Sequence, residues 1–262
     1  MIPAILLVAG IALIAGLVLA VASVVMAVPR DELVDKLRDC LPGANCGACG
    51  YSGCDGYAAA MAHEGAPVGL CPPGGEDTLE ATSKILGTEG GEVVKMVANI
   101  HCGGCDQAAP RAFVYDGIRS CRAASQLYGG DKICPYGCLG YGDCVASCDY
   151  HAIEIRNGIA FMIHDECVAC GKCVRTCPKG LIELRPLNVA LINCHSHDKG
   201  AAVRKYCSAG CIACTKCVKT CPHGAITMEN NLAQIDFEKC TGCGACVEVC
   251  PAHCIEIPLQ KK

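Results

Sequence analysis

The sequence contains no tryptophan, and only three phenylalanines and eight tyrosines among 262 residues. So few large side chains fill little of a conventional core, and something else must hold much of the chain together. A surplus of positive charge is also missing. Lys and Arg number 22 against 26 Asp and Glu, a net −4, which gives no basis for nucleic-acid binding. No acid–base pair or nucleophile constellation stands out. Gly90-Gly91 is a hinge-like break, but it forms no Gly-x-Gly-x-x-Gly fingerprint and carries no dinucleotide argument. Cysteine is absent before Cys40, and charge is absent from Ile2 to Val28.

That uncharged run is roughly 40 Å long as a helix, and a bilayer core needs about 20 residues. No Lys or Arg precedes it, unlike a secretory signal. It predicts a retained transmembrane helix over residues 1–29. Arg30, Lys36 and Arg38 follow it, which places the rest of the chain on the cytoplasmic side of the inner membrane. A reducing compartment also suits free thiolates. Ala12, Gly16 and Ala20 lie four apart, a spacing that lets helices approach closely.

Cysteine is what the chain has in plenty: 27 residues, about one in ten. An odd count in a chain this long argues against a disulfide framework and leaves zinc or iron–sulfur clusters. The first group is Cys46-x2-Cys49-x4-Cys54-x16-Cys71-Pro72, after a turn at Pro42-Gly43. Asp55 to Gly65 reads as a short helix, with Gly65 as its C-cap, that returns the chain so that Cys71 closes the site. A second Cys-x-x-Cys knuckle of a zinc ribbon is missing, so residues 30–75 predict a [4Fe–4S] module. Cys40 is left over as a free thiol. Residues 76–100 lack cysteine and read as a linker, with a short helix over Thr78–Leu86 and a strand over Val93–Ile100.

The body repeats at an offset of 73. Cys121, Cys134, Cys138, Cys144, Cys148, Cys167, Cys170, Cys173 and Cys177 map onto Cys194, Cys207, Cys211, Cys217, Cys221, Cys240, Cys243, Cys246 and Cys250. The units run over 101–185 and 186–262. The second holds Cys211-x2-Cys214-x2-Cys217-x3-Cys221-Pro and Cys240-x2-Cys243-x2-Cys246-x3-Cys250-Pro, the bacterial two-cluster ferredoxin run. In that run the fourth cysteine serves the other cluster. Cys211, Cys214, Cys217 and Cys250 then hold one [4Fe–4S], and Cys240, Cys243, Cys246 and Cys221 its neighbour. Ala225–Met228 and Leu232–Ile235 read as a hairpin around Asn230-Asn231.

The first unit departs from this pattern. Cys167-x2-Cys170-x2-Cys173-x3-Cys177-Pro is complete, and Cys148 crosses to join Cys167, Cys170 and Cys173. Its partner run has Tyr141 where the second cysteine belongs and Asp149 in place of proline. Cys138, Cys144 and Cys177 therefore need a fourth ligand. Cys134 is nearest and is the expected one, Cys121 is the second choice, and a three-cysteine [3Fe–4S] site is the alternative. Five clusters use 20 cysteines. A sixth would draw on Cys102, Cys105, Cys121, Cys194 and Cys207, and Cys40 and Cys254 are the first candidates to have no cluster to serve. His195 and His197 read as solvated loop. Lys199, Arg204, Lys205, Lys216 and Lys219 form either a solvated surface or an attractor for an acidic electron carrier.

The whole is an α+β chain built for one-electron transfer. Ala44-Asn45-Cys46-Gly47-Ala48-Cys49-Gly50-Tyr51-Ser52-Gly53-Cys54, behind one N-terminal helix and ahead of ferredoxin repeats, resembles the B subunit of the Rnf complex. Cys134-Pro-Tyr-Gly-Cys138-Leu-Gly-Tyr-Gly-Asp-Cys144 resembles the long, multi-cluster form. The resemblance implies a complex that oxidises reduced ferredoxin, reduces NAD and moves Na⁺ or H⁺. It implies soluble ferredoxin and the other Rnf subunits as partners. A membrane-tethered polyferredoxin serving another reductase is the rival reading.

Overall fold

The computed structural model describes residues 2–25, 31–88 and 94–258, with the side chains of the first helix described over 9–23. Gly90-Gly91, Val93 and Arg30 lie outside the described residues. Helix α1 (Ile2–Val25) carries no charge. Its described side chains cover roughly 22 Å of helix, against a hydrocarbon core of about 30 Å. Among the described residues no helix is long and apolar enough to cross a membrane, so the expected spanning helix is not met by these residues alone. Large apolar groups face outward along them, with Leu13 74 % and Leu19 70 % exposed.

Three helices follow, α2 (Glu32–Asp39), α3 (Cys54–His63) and α4 (Gly75–Leu86). Asp31 caps α2 by accepting from the Leu33 N–H. Gly65, at φ +67°, leaves α3 in the left-handed conformation that ends many helices. Tyr57 is buried at the centre of this group. Its hydroxyl donates to the Pro67 carbonyl at 2.7 Å and accepts from the Leu70 N–H at 3.1 Å, and its ring stacks on Tyr51. The expected linker 76–100 is instead divided between two bodies. Helix α4 packs its Ile85 and Leu86 against the Leu37, Tyr57 and Met61 core. Strand β1 (Met96–Ile100) leaves to pair elsewhere.

Next come α5 (Cys121–Ser125), α6 (Asp143–Ala146), β2 (Ile153–Arg156), β3 (Ile159–Met162), α7 (Lys172–Thr176) and β4 (Ile182–Pro186). Strands β2 and β3 form a hairpin, and β1 pairs antiparallel with β4, Ile100 opposite Ile182. The last part holds β5 (Leu191–Ile192), α8 (Gly200–Tyr206), α9 (Lys216–Thr220), β6 (Ile226–Glu229), β7 (Leu232–Ile235), α10 (Ala245–Glu248) and β8 (Ile255–Glu256). Strands β6 and β7 form the expected hairpin, and β5 pairs with β8. Asn230 and Asn231 both have positive φ, the backbone that a two-residue hairpin turn requires. Hairpins and short helices recur 73 residues apart: β2 with β6, β3 with β7, α6 with α9, and α7 with α10. The cores are small. Each gathers a few aliphatic residues around cysteines, such as Ile226, Leu232 and Ile255 around Cys211, Cys217 and Cys250.

Candidate metal centres

All 27 cysteines are free. The loops that carry them share one backbone. Two and four residues after the leading cysteine, φ is positive at Gly140 and Gly142, Ala169 and Gly171, Ala213 and Thr215, and Gly242 and Gly244. It is positive again thirteen residues on, at His151, Gly180, Gly224 and His253. Residues alternating between the two helical hands turn successive N–H groups inward, a nest that suits an anionic centre. Ala169, Ala213 and Thr215 adopt this conformation at a steric cost. The loop with Tyr141 keeps the same backbone although it lacks the cysteine. Backbone N–H groups also donate to sulfur: Ala98 to Cys167 at 3.3 Å, Ala160 to Cys138 at 3.4 Å and Ala225 to Cys221 at 3.3 Å.

The thiols converge in fours. Cys46, Cys49, Cys54 and Cys71 are neighbours in the three-helix module. There the Asn45 Oδ1 accepts from the Cys54 N–H at 2.8 Å and ties the loop to the start of α3. Cys148, Cys167, Cys170 and Cys173 line one cavity, and Cys211, Cys214, Cys217 and Cys250 another, which Cys254 also borders. Cys221 lies beside Cys240, Cys243 and Cys246. In the first unit the structure departs from the sequence expectation. The cavity of Cys138, Cys144 and Cys177 takes Cys121, not Cys134. The three cavities hold about 320, 350 and 370 Å³ of empty space, part of it continuous with solvent.

Asp143 explains the substitution. Its carboxylate accepts from the N–H groups of Cys121 and Arg122 at 2.9 and 3.0 Å and from the Ser120 hydroxyl at 2.9 Å. This holds Cys121, the first residue of α5, over the cavity. Burial opposes the charge of Asp143, but these donors outweigh it and hold its carboxyl below the usual range. The Tyr141 ring packs against the cluster of Cys121, Ala124 and Leu139. Its hydroxyl donates to Asp131 at 2.7 Å, and Arg111 reaches both Asp131 and Tyr141. The chain that in the other loops carries the second cysteine is thus spent on a polar network.

Cys134 belongs to a further group. Its thiol neighbours are Cys102 and Cys207, and those of Cys207 are Cys194 and Cys102. Three hydrogen bonds hold the segments together: Gly103 N–H to the Asn193 carbonyl at 2.9 Å, Ser208 N–H to that of Ala108 at 3.0 Å, and the buried Lys132 ammonium to that of Gly104 at 2.7 Å. Six groups of four account for 24 of the 27 cysteines and leave Cys40, Cys105 and Cys254. Cys105 stands apart, its thiol directed to Gln107. Cys254 is buried 3.6 Å from the Cys250 sulfur. Its hydrogen bond to Cys211, and then burial, raise its pKa.

The groups are in series. Tyr150 lies near both Cys170 and Cys46, and Arg175 donates to the Cys46 carbonyl at 3.5 Å. Cys173 adjoins Cys144. The Cys138 N–H donates to the Cys102 sulfur at 3.3 Å. Cys194 neighbours Cys211, and one turn of helix α9 joins Cys217 to Cys221, whose N–H donates to the Cys217 carbonyl at 3.1 Å.

The donor set fits iron–sulfur clusters. Burial pushes the thiols of Cys71, Cys138 and Cys217 up to about 11, and those of Cys144 and Cys173 to about 12. Binding iron therefore releases protons from these sites. Among the described residues no three His, Cys, Asp or Glu side chains are arranged to hold a single metal ion. Four thiolates in ferredoxin-spaced runs suit a polynuclear iron–sulfur centre.

Comparisons with known proteins agree with this chemistry. Residues 41–73 match a family described as an Fe-S cluster, 161–183 a 4Fe-4S binding domain, and 205–257 a 4Fe-4S dicluster domain. The chain is 44 % identical over 245 residues to the B subunit of the Na(+)-translocating ferredoxin:NAD(+) oxidoreductase complex of Acetobacterium woodii, covering 93 % of this chain and 74 % of the relative. It is 42 % identical over 233 residues to the B subunit of the proton-translocating ferredoxin:NAD(+) oxidoreductase complex of Clostridium ljungdahlii, covering 88 % and 82 %. It is 40 % identical over 235 residues to the B subunit of the ion-translocating oxidoreductase complex of Methanosarcina acetivorans, covering 89 % of each.

Proposed function

The chain belongs to the B subunits of the ion-translocating ferredoxin:NAD oxidoreductase, or Rnf, complexes, and we propose that it relays electrons from reduced ferredoxin to the other subunits through six [4Fe–4S] clusters. It is an iron–sulfur electron-transfer subunit of such a complex. The observation that carries the relay is the series of four-thiol groups. When bound, the clusters supply one-electron chemistry. The residues that hold them are Cys46, Cys49, Cys54 and Cys71; Cys148, Cys167, Cys170 and Cys173; Cys121, Cys138, Cys144 and Cys177; Cys102, Cys134, Cys194 and Cys207; Cys211, Cys214, Cys217 and Cys250; and Cys221, Cys240, Cys243 and Cys246. The sixth group, Cys102, Cys134, Cys194 and Cys207, joins the two ferredoxin-like units into one path. Backbone N–H donors to sulfur set the potentials of the individual centres.

Helix α1 anchors this path at the inner membrane, with the clusters on the cytoplasmic side. Support comes from the uncharged run from Ile2 to Val28 and from the outward-facing apolar side chains of residues 9–23. The coupled ion and the reduction of NAD belong to partner proteins of the complex. Iron and acid-labile sulfide each near 24 per chain, with bleaching of the cluster absorbance by reduced ferredoxin, are the expected results. Zinc without sulfide would overturn the reading. So would recovery of the native protein from membranes with no multi-helix or flavoprotein partner.

A further inference from the structure

We infer that the basic face formed by α8 and α9 around Cys214 is the docking surface for an acidic ferredoxin, which specifies where the proposed electron donor binds and rests on that reading. Cys214 and Cys243 are the two exposed cysteines of the 27. At these positions the thiol series comes to the surface, so a soluble carrier has its shortest approach there. The surroundings of the two differ. From Lys199 to Met228 the chain carries five cations and no carboxylate, in a protein of net charge −4. All five, Lys199, Arg204, Lys205, Lys216 and Lys219, are exposed. None forms an ion pair among the described residues, whereas Lys239, near Cys243, is paired with Asp236 at 2.9 Å.

The fold brings these cations to the Cys214 loop. Helix α9 begins two residues after Cys214. Helix α8 abuts the same loop so closely that a Cβ on Gly200 would meet the Ile212 carbonyl oxygen at 2.2 Å. The first unit offers a built-in comparison. Its equivalent span, 126–155, carries four carboxylates and one cation, Lys132, whose side chain is 0 % exposed. The same loop geometry thus occurs twice, but in the first unit Asp131, Asp149 and Glu154 are paired with Arg111, Lys172 and Arg156 and no free cation is exposed in the span, so only the second copy sets unpaired cations around an exposed thiol. Unpaired cations around an exposed redox group steer an anionic carrier to that group.

The test measures binding of an oxidised, acidic two-[4Fe–4S] ferredoxin by calorimetry, and reduction by the same ferredoxin in stopped flow, both at low and high salt. The variant is Arg204→Glu/Lys205→Glu/Lys219→Glu. These side chains are exposed, and matched iron content verifies its fold. Its affinity and second-order reduction rate are expected to fall about ten- to a hundredfold at low salt, and the salt dependence to flatten. Lys36→Glu/Arg119→Glu, two exposed cations outside this face, is expected to bind as wild type. Wild-type binding that survives the triple reversal overturns the inference alone, as does equal weakening by the control. Loss of binding to anionic vesicles with ferredoxin affinity unchanged would assign the face to the membrane instead. Wild-type protein that neither binds ferredoxin nor accepts its electrons overturns the parent reading and this one with it.

Discussion

The assignment of Cys121 and Cys134 to different centres can be tested by non-additivity. Cys121 lines a cavity with Cys138, Cys144 and Cys177, while Cys134 neighbours Cys102 and Cys207. Removing one ligand puts one cluster at risk, and removing a second ligand of the same cluster adds nothing. With about 24 irons in the wild type, Cys121→Ala, Cys134→Ala and Cys138→Ala are each expected to retain about 20. Cys121→Ala/Cys138→Ala is also expected at about 20, but Cys121→Ala/Cys134→Ala at about 16. If a three-iron remnant survives in Cys121→Ala, it appears as a new signal in EPR of the oxidised protein, and the same signal persists when Cys134 is also removed. Iron, sulfide and EPR are measured on the wild type and all five variants. Additive loss in Cys121→Ala/Cys138→Ala, or about 20 irons in Cys121→Ala/Cys134→Ala, would refute the grouping.

Further outcomes follow from the contacts around these sites. Asp143→Ala removes the acceptor for Cys121, Arg122 and Ser120 and should make the Cys121 centre the first to be lost to a chelator. The lowered pKa of Asp143 means that its stabilisation is full above the ordinary carboxylate pKa and fades as pH falls through the lowered value. Acid loss of that centre should therefore shift to higher pH in Asp143→Asn, and an unshifted profile would count against the role of Asp143. Arg111→Ala leaves the Asp131 carboxylate, whose side chain is 1 % exposed, with the Tyr141 hydroxyl as its remaining side-chain donor, at a cost below the roughly 3–5 kcal/mol of a fully buried pair. Its midpoint for thermal bleaching should fall, and Arg111→Ala/Asp131→Asn should recover part of the loss. Cys40→Ala/Cys105→Ala/Cys254→Ala should keep the full iron content, and a loss of four irons would show that one of the three is a ligand.

The loops were legible because their geometry is local. A leading cysteine followed by residues of positive φ at fixed places is a short-range steric fact, and three of the four runs spell it with regular spacing. The hairpin at Asn230-Asn231 was legible for the same reason. Tyr141 marked the irregular run correctly, but proximity in sequence favoured Cys134 over Cys121 as the missing ligand. The helix and strand expected within 76–100 are both present, but nothing in that span indicates that Met96–Ile100 pairs with Ile182–Pro186, more than eighty residues on.

By itself the sequence determined the chemistry: free thiols in ferredoxin runs, an uncharged leading helix, and a duplicated spacing. Tertiary structure decided which distant thiols meet. Cys102, Cys134, Cys194 and Cys207 come from separate segments, joined by backbone hydrogen bonds and the buried Lys132. Cys121 reaches its cavity through the carboxylate of Asp143, twenty-two residues further along. Ligand spacing specifies partners on one loop, because the chain between them has few conformations. Partners on different loops are fixed only when strands pair and buried polar groups find each other.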